Sequence, residues 1–127
     1  MISVCYNRRT IKLRPGEIVV IMGERHAGKT FLLNLLEEAS DAVIVWDEPT
    51  AHDVYTAAER HLIRHSLVSE HRDYTVIVSH NTADIMMADR VIFLKDREVY
   101  FDDHPWDFVY SDDEYIRYFL KNRSVFC

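Results

Sequence analysis

The sequence contains a glycine-rich octapeptide, GERHAGKT (residues 23–30), which matches the pattern G-x-x-x-x-G-K-[ST]. Gly23 and Gly28 allow the backbone to curl so that successive amide N–H groups face inward. In that geometry Lys29 reaches the β- and γ-phosphates of a nucleotide, and the Thr30 hydroxyl binds Mg²⁺. The octapeptide follows an apolar run and precedes a helical pattern, which is the context this motif requires. We call it the phosphate loop, and it predicts a site for a polyphosphate.

Two adjacent carboxylates, Asp47 and Glu48, follow the apolar run AVIVW. In a protein with a phosphate loop, an Asp at the end of a neighbouring strand binds the Mg²⁺ that Thr30 also holds. The field of the cation lowers the pKa of such a carboxylate and offsets its burial. Glu48 would stand one residue closer to the γ-phosphate, where it can orient and deprotonate an attacking water. The pair therefore predicts metal binding for Asp47 and general-base catalysis for Glu48.

A histidine, His80, ends a third apolar run, TVIVSH. A neutral imidazole at this place can donate a hydrogen bond to a γ-phosphate oxygen. A lone histidine at the end of a strand is more often structural, so the functional interpretation depends on the other two motifs. Together the three motifs place chemistry at the carboxyl ends of strands, where α/β sheets bind their ligands.

The elements that must position these residues alternate along the chain. GEIVVIMG, DAVIVW and YTVIVSH are nearly continuous apolar runs, as expected for strands buried on both faces. KTFLLNLLEE, AHDVYTAAERHLIRHSLVSEH and NTADIMMAD have helical patterns, the last capped by Asn81. The apolar stripe of the first helix consists of Phe31, Leu32, Leu35 and Leu36. This alternation predicts an α/β domain with a mostly parallel sheet flanked by helices.

The C-terminal part reads as a hairpin followed by a helix. RVIFLKDREVYFDD predicts two strands that turn at residues 95–97, and SDDEYIRYFLKN predicts a helix capped by Ser111. The packing face of this helix is Tyr115, Ile116, Phe119 and Leu120. No linker, repeat or low-complexity stretch divides the sequence, so we expect a single domain over residues 1–127.

Composition excludes several classes of protein. Of 127 residues, 48% are apolar and 28% charged, which is an ordinary globular balance, and the net charge of −6 makes nucleic acid an unfavourable direct ligand. No apolar run approaches the ~18 residues of a membrane span, and the first ten residues lack the apolar core of a signal peptide. Cys5 and Cys127 have no metal or redox spacing. We therefore expect a cytoplasmic protein with reduced thiols and no membrane insertion.

Taken together, the motifs resemble those of ATP-binding-cassette (ABC) ATPases over nearly the whole chain. GERHAGKT resembles the Walker A loop, VIVWDEPT the Walker B strand with its following Glu, and AHD the D-loop. VIVSHNTADIMMADRVIFLKDREVYF resembles the His switch and the closing β-hairpin. The resemblance implies a P-loop NTPase core that binds ATP or ADP with Mg²⁺.

The resemblance also implies roles for individual residues. Glu48 becomes the catalytic base, His80 the γ-phosphate sensor and Asp53 an interface residue, while Thr30 and Asp47 hold the metal. Tyr6 is the aromatic residue expected to stack on adenine, although it lies nearer the phosphate loop than the family spacing would place it. The expected nucleotide-binding residues are Tyr6, Gly23, Glu24, Arg25, His26, Ala27, Gly28, Lys29, Thr30 and Phe31.

The departures from the family pattern are equally informative. Only sixteen residues separate Thr30 from Asp47, where a full cassette inserts the Q-loop and a helical subdomain with the LSGGQ-type signature. The sequence has no glutamine, and its three glycines stand at 16, 23 and 28, so neither element is present. In full cassettes the signature of one subunit completes the ATP site of the other. Losing such preorganised donors costs on the order of 10²–10³ in rate, by analogy with oxyanion-hole deletions.

Two functions therefore remain open from the sequence. The first is a Mg-ATP-binding ABC-type ATPase core with slow or partner-dependent hydrolysis, which is favoured because Glu48 and His80 are retained. The second is a half-cassette interaction module that docks onto a complete ABC-type ATPase and regulates or inhibits it. Either a homodimer or a larger ABC-type ATPase is then the expected partner. A small-molecule kinase is disfavoured because the sequence has no Arg-rich lid segment.

Overall fold

The computed structural model describes residues 1–47, 74–79 and 82–123. The described part contains seven strands, three α-helices and one 3₁₀ helix. One α-helix follows the phosphate loop, and the other two follow the last strand. In chain order the elements are β1 (Ile2–Tyr6), β2 (Arg9–Leu13), β3 (Ile18–Gly23), α1 (Lys29–Ala39), β4 (Val43–Asp47), β5 (Tyr74–Val78), the 3₁₀ helix (Thr82–Met87), β6 (Arg90–Lys95), β7 (Glu98–Asp103), α2 (Pro105–Val109) and α3 (Glu114–Arg123). The sequence predicts a long helix after Asp47 and helix caps at Ser111 and Asn81. The long helix and the Asn81 cap lie outside the described residues.

Five strands form the main sheet in the order β4-β5-β3-β6-β7. The first four are parallel to one another, and β7 runs antiparallel to β6 after a turn at residues 96 and 97. The expectation of a mostly parallel sheet that ends in a β-hairpin is confirmed. Because the alternating strands and helices build one α/β sheet, the described fold is consistent with a P-loop NTPase core.

The position of β4 differs from the expectation. β5 lies between β3 and β4, so Asp47 ends a strand two places from the phosphate loop, about 10 Å away at the usual spacing of strands. Burial follows the same order: the first four residues of β5 are buried, while those of β4 are half-buried or, at Trp46, 41% exposed. β5 is covered by a strand on each side, whereas β4 has a described neighbour only at β5.

The core lies on both faces of the sheet, because alternate residues of each strand point to opposite sides. On β3, Val19 and Ile21 belong to the cluster that packs under α1 and the N-terminal hairpin, whereas Val20 and Met22 belong to the cluster under the C-terminal helices. All six residues of β3 are buried. This central strand therefore fixes the position at which the phosphate loop begins.

The N-terminal hairpin of β1 and β2 forms a separate two-stranded sheet, which the sequence patterns above did not predict. Its residues Asn7 and Arg8 form a two-residue turn with positive φ angles of 45° and 69°. Val4, Tyr6, Ile11 and Leu13 are buried against the same core cluster as α1. The hairpin therefore covers one face of the main sheet and brings the end of β1 beside the phosphate loop.

Two details of the helices correct the sequence predictions. On α1, Leu32 and Leu36 are buried as expected, but Phe31 is 59% exposed because it lies on the first turn, facing the groove described below. The cap of α3 is Asp113, whose Oδ1 accepts hydrogen bonds from the backbone N–H groups of residues 115 and 116 at 2.9 and 3.0 Å. Ser111 instead accepts from the N–H of Asp113. The expected packing face of α3 is confirmed, since Ile116 and Phe119 are buried and Tyr115 and Leu120 pack beside them.

Candidate phosphate-binding site

The phosphate loop leaves β3 at Gly23 and enters α1 at Lys29. Inside it the N–H of Ala27 donates to the carbonyl of Glu24 at 3.1 Å, which closes a tight turn. His26 adopts a left-handed conformation with φ 68°, and Gly28 has φ 106°. The backbone therefore curls as the sequence motif requires.

Both glycines of the motif stand where a side chain has no room. A Cβ on Gly23 would lie 2.7 Å from the carbonyl oxygen of Leu94 on the neighbouring strand. A Cβ on Gly28 would overlap the Tyr6 hydroxyl and lie 3.2 Å from the Cα of Arg97. The loop is thus packed closely against the backbone of β6, the Tyr6 side chain of β1 and residue 97 of the β6–β7 turn.

Lys29 lies at the centre of the curl. Its Nζ donates a 2.9 Å hydrogen bond to the carbonyl of Gly23, so the ammonium folds back over the loop. No side chain caps the N-terminus of α1, and the Thr30 hydroxyl is on an exposed residue beside it. Uncapped N-terminal amides and the helix dipole both favour an anion at this point. The donor set present here fits a polyphosphate.

Tyr6 has a different role from the one expected from the sequence. Its side chain is 1% exposed, and its hydroxyl donates to the carbonyl of Gly28 at 3.3 Å. Burial raises the pKa of the hydroxyl, and the nearby Arg97 lowers it in part. An adenine ring can stack only on an accessible aromatic face, so Tyr6 supports the loop from below and does not offer a stacking surface. The exposed ring of Phe31, 5.8 Å from that of Tyr6, also lines the groove.

The turn between β6 and β7 also contacts the phosphate loop, and no sequence motif indicated this contact. The backbone N–H of Arg97 donates to the carbonyl of Ala27 at 2.8 Å. The carbonyl of Arg97 accepts a 2.9 Å hydrogen bond from Nδ2 of Asn7. The hairpin turn therefore bridges the phosphate loop and the end of β1.

A groove of about 1070 Å³ runs along the loop. Its lining brings the loop together with the end of β1 and the β6–β7 turn: Cys5, Tyr6, Asn7, Arg25, His26, Gly28, Lys29, Thr30, Phe31, Asn34, Asp96 and Arg97. Three of these residues are Lys or Arg and one is Asp, although the whole chain carries a net charge of −6. The local excess of positive charge favours an anionic ligand. Of the expected nucleotide-binding residues, Gly23, Glu24 and Ala27 shape the loop without lining the groove.

The acidic pair and the histidine can be placed only in part. Asp47 is the last residue of β4, and its backbone pairs with Val78 at the carboxyl end of β5. Its side chain, together with Glu48, Asp53 and His80, lies outside the described residues. The N–H of Ser79 donates to the carbonyl of Ile21 at 3.4 Å, so the carboxyl ends of β5 and β3 stay together. The Ser79 hydroxyl donates to the buried carboxylate of Asp84, which ties β5 to the 3₁₀ helix.

In the described part of the chain, no helix is long and apolar enough to cross a membrane. No protein-family model matches the sequence, and no curated protein matches it either.

Comparison with solved structures gives a clear result for the fold. The chain matches the dimeric structure of MJ0796, a bacterial ABC transporter cassette, with a TM-score of 0.59 and 14% identity, over 81% of this chain and 95% of that one. It also matches a dimeric, post-hydrolysis state of the ATP-binding cassette MJ0796 bound to ADP and Pi, with a TM-score of 0.58 and 14% identity, over 76% and 88% of the two chains. At this identity the likeness concerns the fold. This chain shares the fold of ATP-binding cassettes.

Proposed function

We propose that this protein is a Mg-ATP-binding core of the ABC type whose ATP hydrolysis is slow or depends on a partner. The observation that carries the proposal is the phosphate loop, in which Lys29 Nζ folds back to donate a 2.9 Å hydrogen bond to the carbonyl of Gly23. The uncapped N-terminus of α1 points to the same place, and the groove beside it is locally cationic. The fold shared with ATP-binding cassettes supports the same ligand.

In this proposal each element of the site has one task. Lys29 and the loop amides bind the β- and γ-phosphates, and oxygen ligands from Thr30 and Asp47 hold Mg²⁺, which prefers such ligands. When bound, Mg²⁺ neutralises charge that develops on the phosphate oxygens. Glu48 accepts a proton from the attacking water, and His80 donates a hydrogen bond to the γ-phosphate. These roles come from the sequence motifs.

The dependence on a partner follows from what the sequence omits. It has no glutamine and no two adjacent glycines, so it lacks both the Q-loop and the LSGGQ-type signature, and one copy has no signature to offer to the ATP bound by another. Without those preorganised donors, fast phosphoryl transfer needs groups from elsewhere. The solved cassettes that share this fold are dimers, which supports association with a second copy or with a complete cassette. Of these two partners, the complete cassette carries a signature. A half-cassette that regulates a complete cassette remains the alternative function.

The test is the affinity for Mg-ATP of the Lys29→Ala variant, measured by calorimetry. The ammonium makes charge-assisted hydrogen bonds worth about 1.5–3 kcal/mol, so we expect affinity to fall roughly ten- to a hundredfold. Lys121→Ala removes the same charge from an exposed position on α3 and serves as the matched control. Equal affinity of the Lys29→Ala variant and the wild type would contradict the proposal.

A further inference from the structure

The turn that joins β6 to β7 carries an arginine at a position that favours glycine. Asp96 and Arg97 have φ angles of 52° and 64°, so both central residues of this two-residue hairpin are left-handed. Hairpins of this kind prefer glycine at the second position, because a Cβ is strained there. Arg8 holds the same position in the β1–β2 turn, with φ 69°, so this conformation alone does not assign a role to Arg97.

The fold does not require the arginine side chain for docking. The two hydrogen bonds that hold the turn to Ala27 and Asn7 use the backbone N–H and C=O of residue 97. A glycine would supply both groups without the strain. The reason for an arginine therefore lies in where its side chain goes.

The side chain of Arg97 lies over the phosphate loop. Its Cγ is 3.3 Å from the position that a Cβ on Gly28 would occupy. Its positive charge also partly lowers the pKa of the Tyr6 hydroxyl, which burial raises. It lines the same groove as Lys29 and Thr30. Within residues 1–47, 74–79 and 82–123, no carboxylate forms an ion pair with it. A guanidinium in this place has five donors suited to phosphate oxygens.

We propose that Arg97 is a second cationic ligand of the nucleotide polyphosphate, delivered within the same chain by the β6–β7 turn. The inference rests on the proposed function, because it names a further ligand of the same site. Lys29 approaches the phosphates from inside the loop, and Arg97 approaches from the groove side. What distinguishes Arg97 from Arg8 is that its side chain lines the groove beside the phosphate loop.

The decisive variant is Arg97→Gly, because two of its properties should change in opposite directions. Relief of the left-handed strain should raise the melting temperature of the free protein by about 3–5 °C. Loss of the guanidinium should weaken binding of Mg-ATP, and of Mg-tripolyphosphate without a nucleoside, by about tenfold each. Calorimetry with both ligands and thermal unfolding without ligand are the measurements.

Three further variants complete the test. Arg97→Ala keeps the left-handed Cβ and should lose affinity without gaining stability, while Arg97→Lys should retain most of the affinity. Arg117→Ala removes one positive charge from an exposed position on α3 and should leave binding unchanged. If binding still depends on Lys29 but has the same affinity in the wild type and in the Arg97→Gly variant, this inference is wrong while the proposed function stands. So would a loss confined to ATP, since the contact would then be with the nucleoside. Absence of wild-type binding to both ligands would overturn the proposed function as well.

Discussion

At the scale of single residues, the phosphate loop is constrained most tightly at Gly28. This residue has φ 106°, its carbonyl accepts a hydrogen bond from Tyr6, and the Cα of Arg97 stands close to it on the groove side. The site therefore depends on a position that makes no contact through a side chain of its own. Its tolerance to substitution is set by Tyr6 and by the hairpin turn.

We predict that Gly28→Ala destabilises the free protein by about 1–3 kcal/mol, because it adds backbone strain and an overlap with the Tyr6 hydroxyl. Tyr6→Phe removes that hydroxyl together with its hydrogen bond, at a cost of about 0.5–1.5 kcal/mol. The double variant should lose less stability than the two single variants lose together, because phenylalanine at position 6 leaves room for the methyl group added at position 28. Urea unfolding of the four proteins measures this coupling, and simple additivity would show that Tyr6 does not limit the loop.

At the scale of elements, α3 is held to the sheet by its cap as well as by its apolar face. The Tyr100 hydroxyl on β7 donates to Oδ2 of Asp113 at 2.6 Å, while Oδ1 accepts the two N-terminal amides of α3. The Tyr100 hydroxyl, followed by the N–H of Ile116, holds the pKa of the Asp113 carboxyl below its ordinary value. One carboxylate thus joins the β-hairpin to the C-terminal helix.

The pH dependence of this cap has a definite sign. Because the folded pKa lies below the unfolded value of about 3.9, the stabilisation is present above that value and is lost as the pH falls through the folded pKa. We predict that Asp113→Ala lowers the free energy of unfolding by about 1 kcal/mol at neutral pH. The difference from the wild type should shrink below about pH 4.

Asp112→Ala is the control for the cap, because it removes the neighbouring exposed carboxylate and should leave stability unchanged. Denaturant unfolding at several pH values gives the comparison. A difference between wild type and Asp113→Ala that stays constant across the acid range would mean that the carboxylate charge does not contribute.

At the scale of the whole molecule, the charge distribution separates the groove from the rest of the protein. The chain has a net charge of −6, but the groove is lined by three basic residues and one acidic residue: Arg25, Lys29, Arg97 and Asp96. Such a distribution favours an anionic ligand at the phosphate loop.

We predict that the purified protein alone turns over ATP slowly, at a rate per molecule that does not rise with protein concentration, because a second copy has no signature with which to complete the site. Glu48→Gln should abolish turnover while keeping Mg-ATP affinity, since an amide can hold a water molecule but cannot take its proton. Glu37→Gln, an exposed change of the same chemistry on α1, should leave turnover intact. A steady-state phosphate-release assay measures both effects. A rate per molecule that rises with protein concentration, or turnover that survives Glu48→Gln, would contradict the prediction.

The sequence by itself determined the elements whose signals are local. The phosphate loop, the three apolar strands around it and the β6–β7 hairpin could be predicted because each depends on neighbouring residues: glycines at fixed spacing, β-branched runs and an apolar helical stripe. The expected roles of Asp47, Glu48 and His80 also came from such patterns and remain predictions.

Only the tertiary structure decided what depends on residues far apart in the chain. The insertion of β5 between β3 and β4 results from competition among strands for burial, which no single strand encodes. Asn7 and Arg97 are 90 positions apart, yet their hydrogen bond joins the hairpin turn to the end of β1. Tyr6 carries an aromatic ring suited to stacking, but packing of the N-terminal hairpin buries it beneath Gly28. The long-range packing that assembles the groove also decides which of its side chains can reach a ligand.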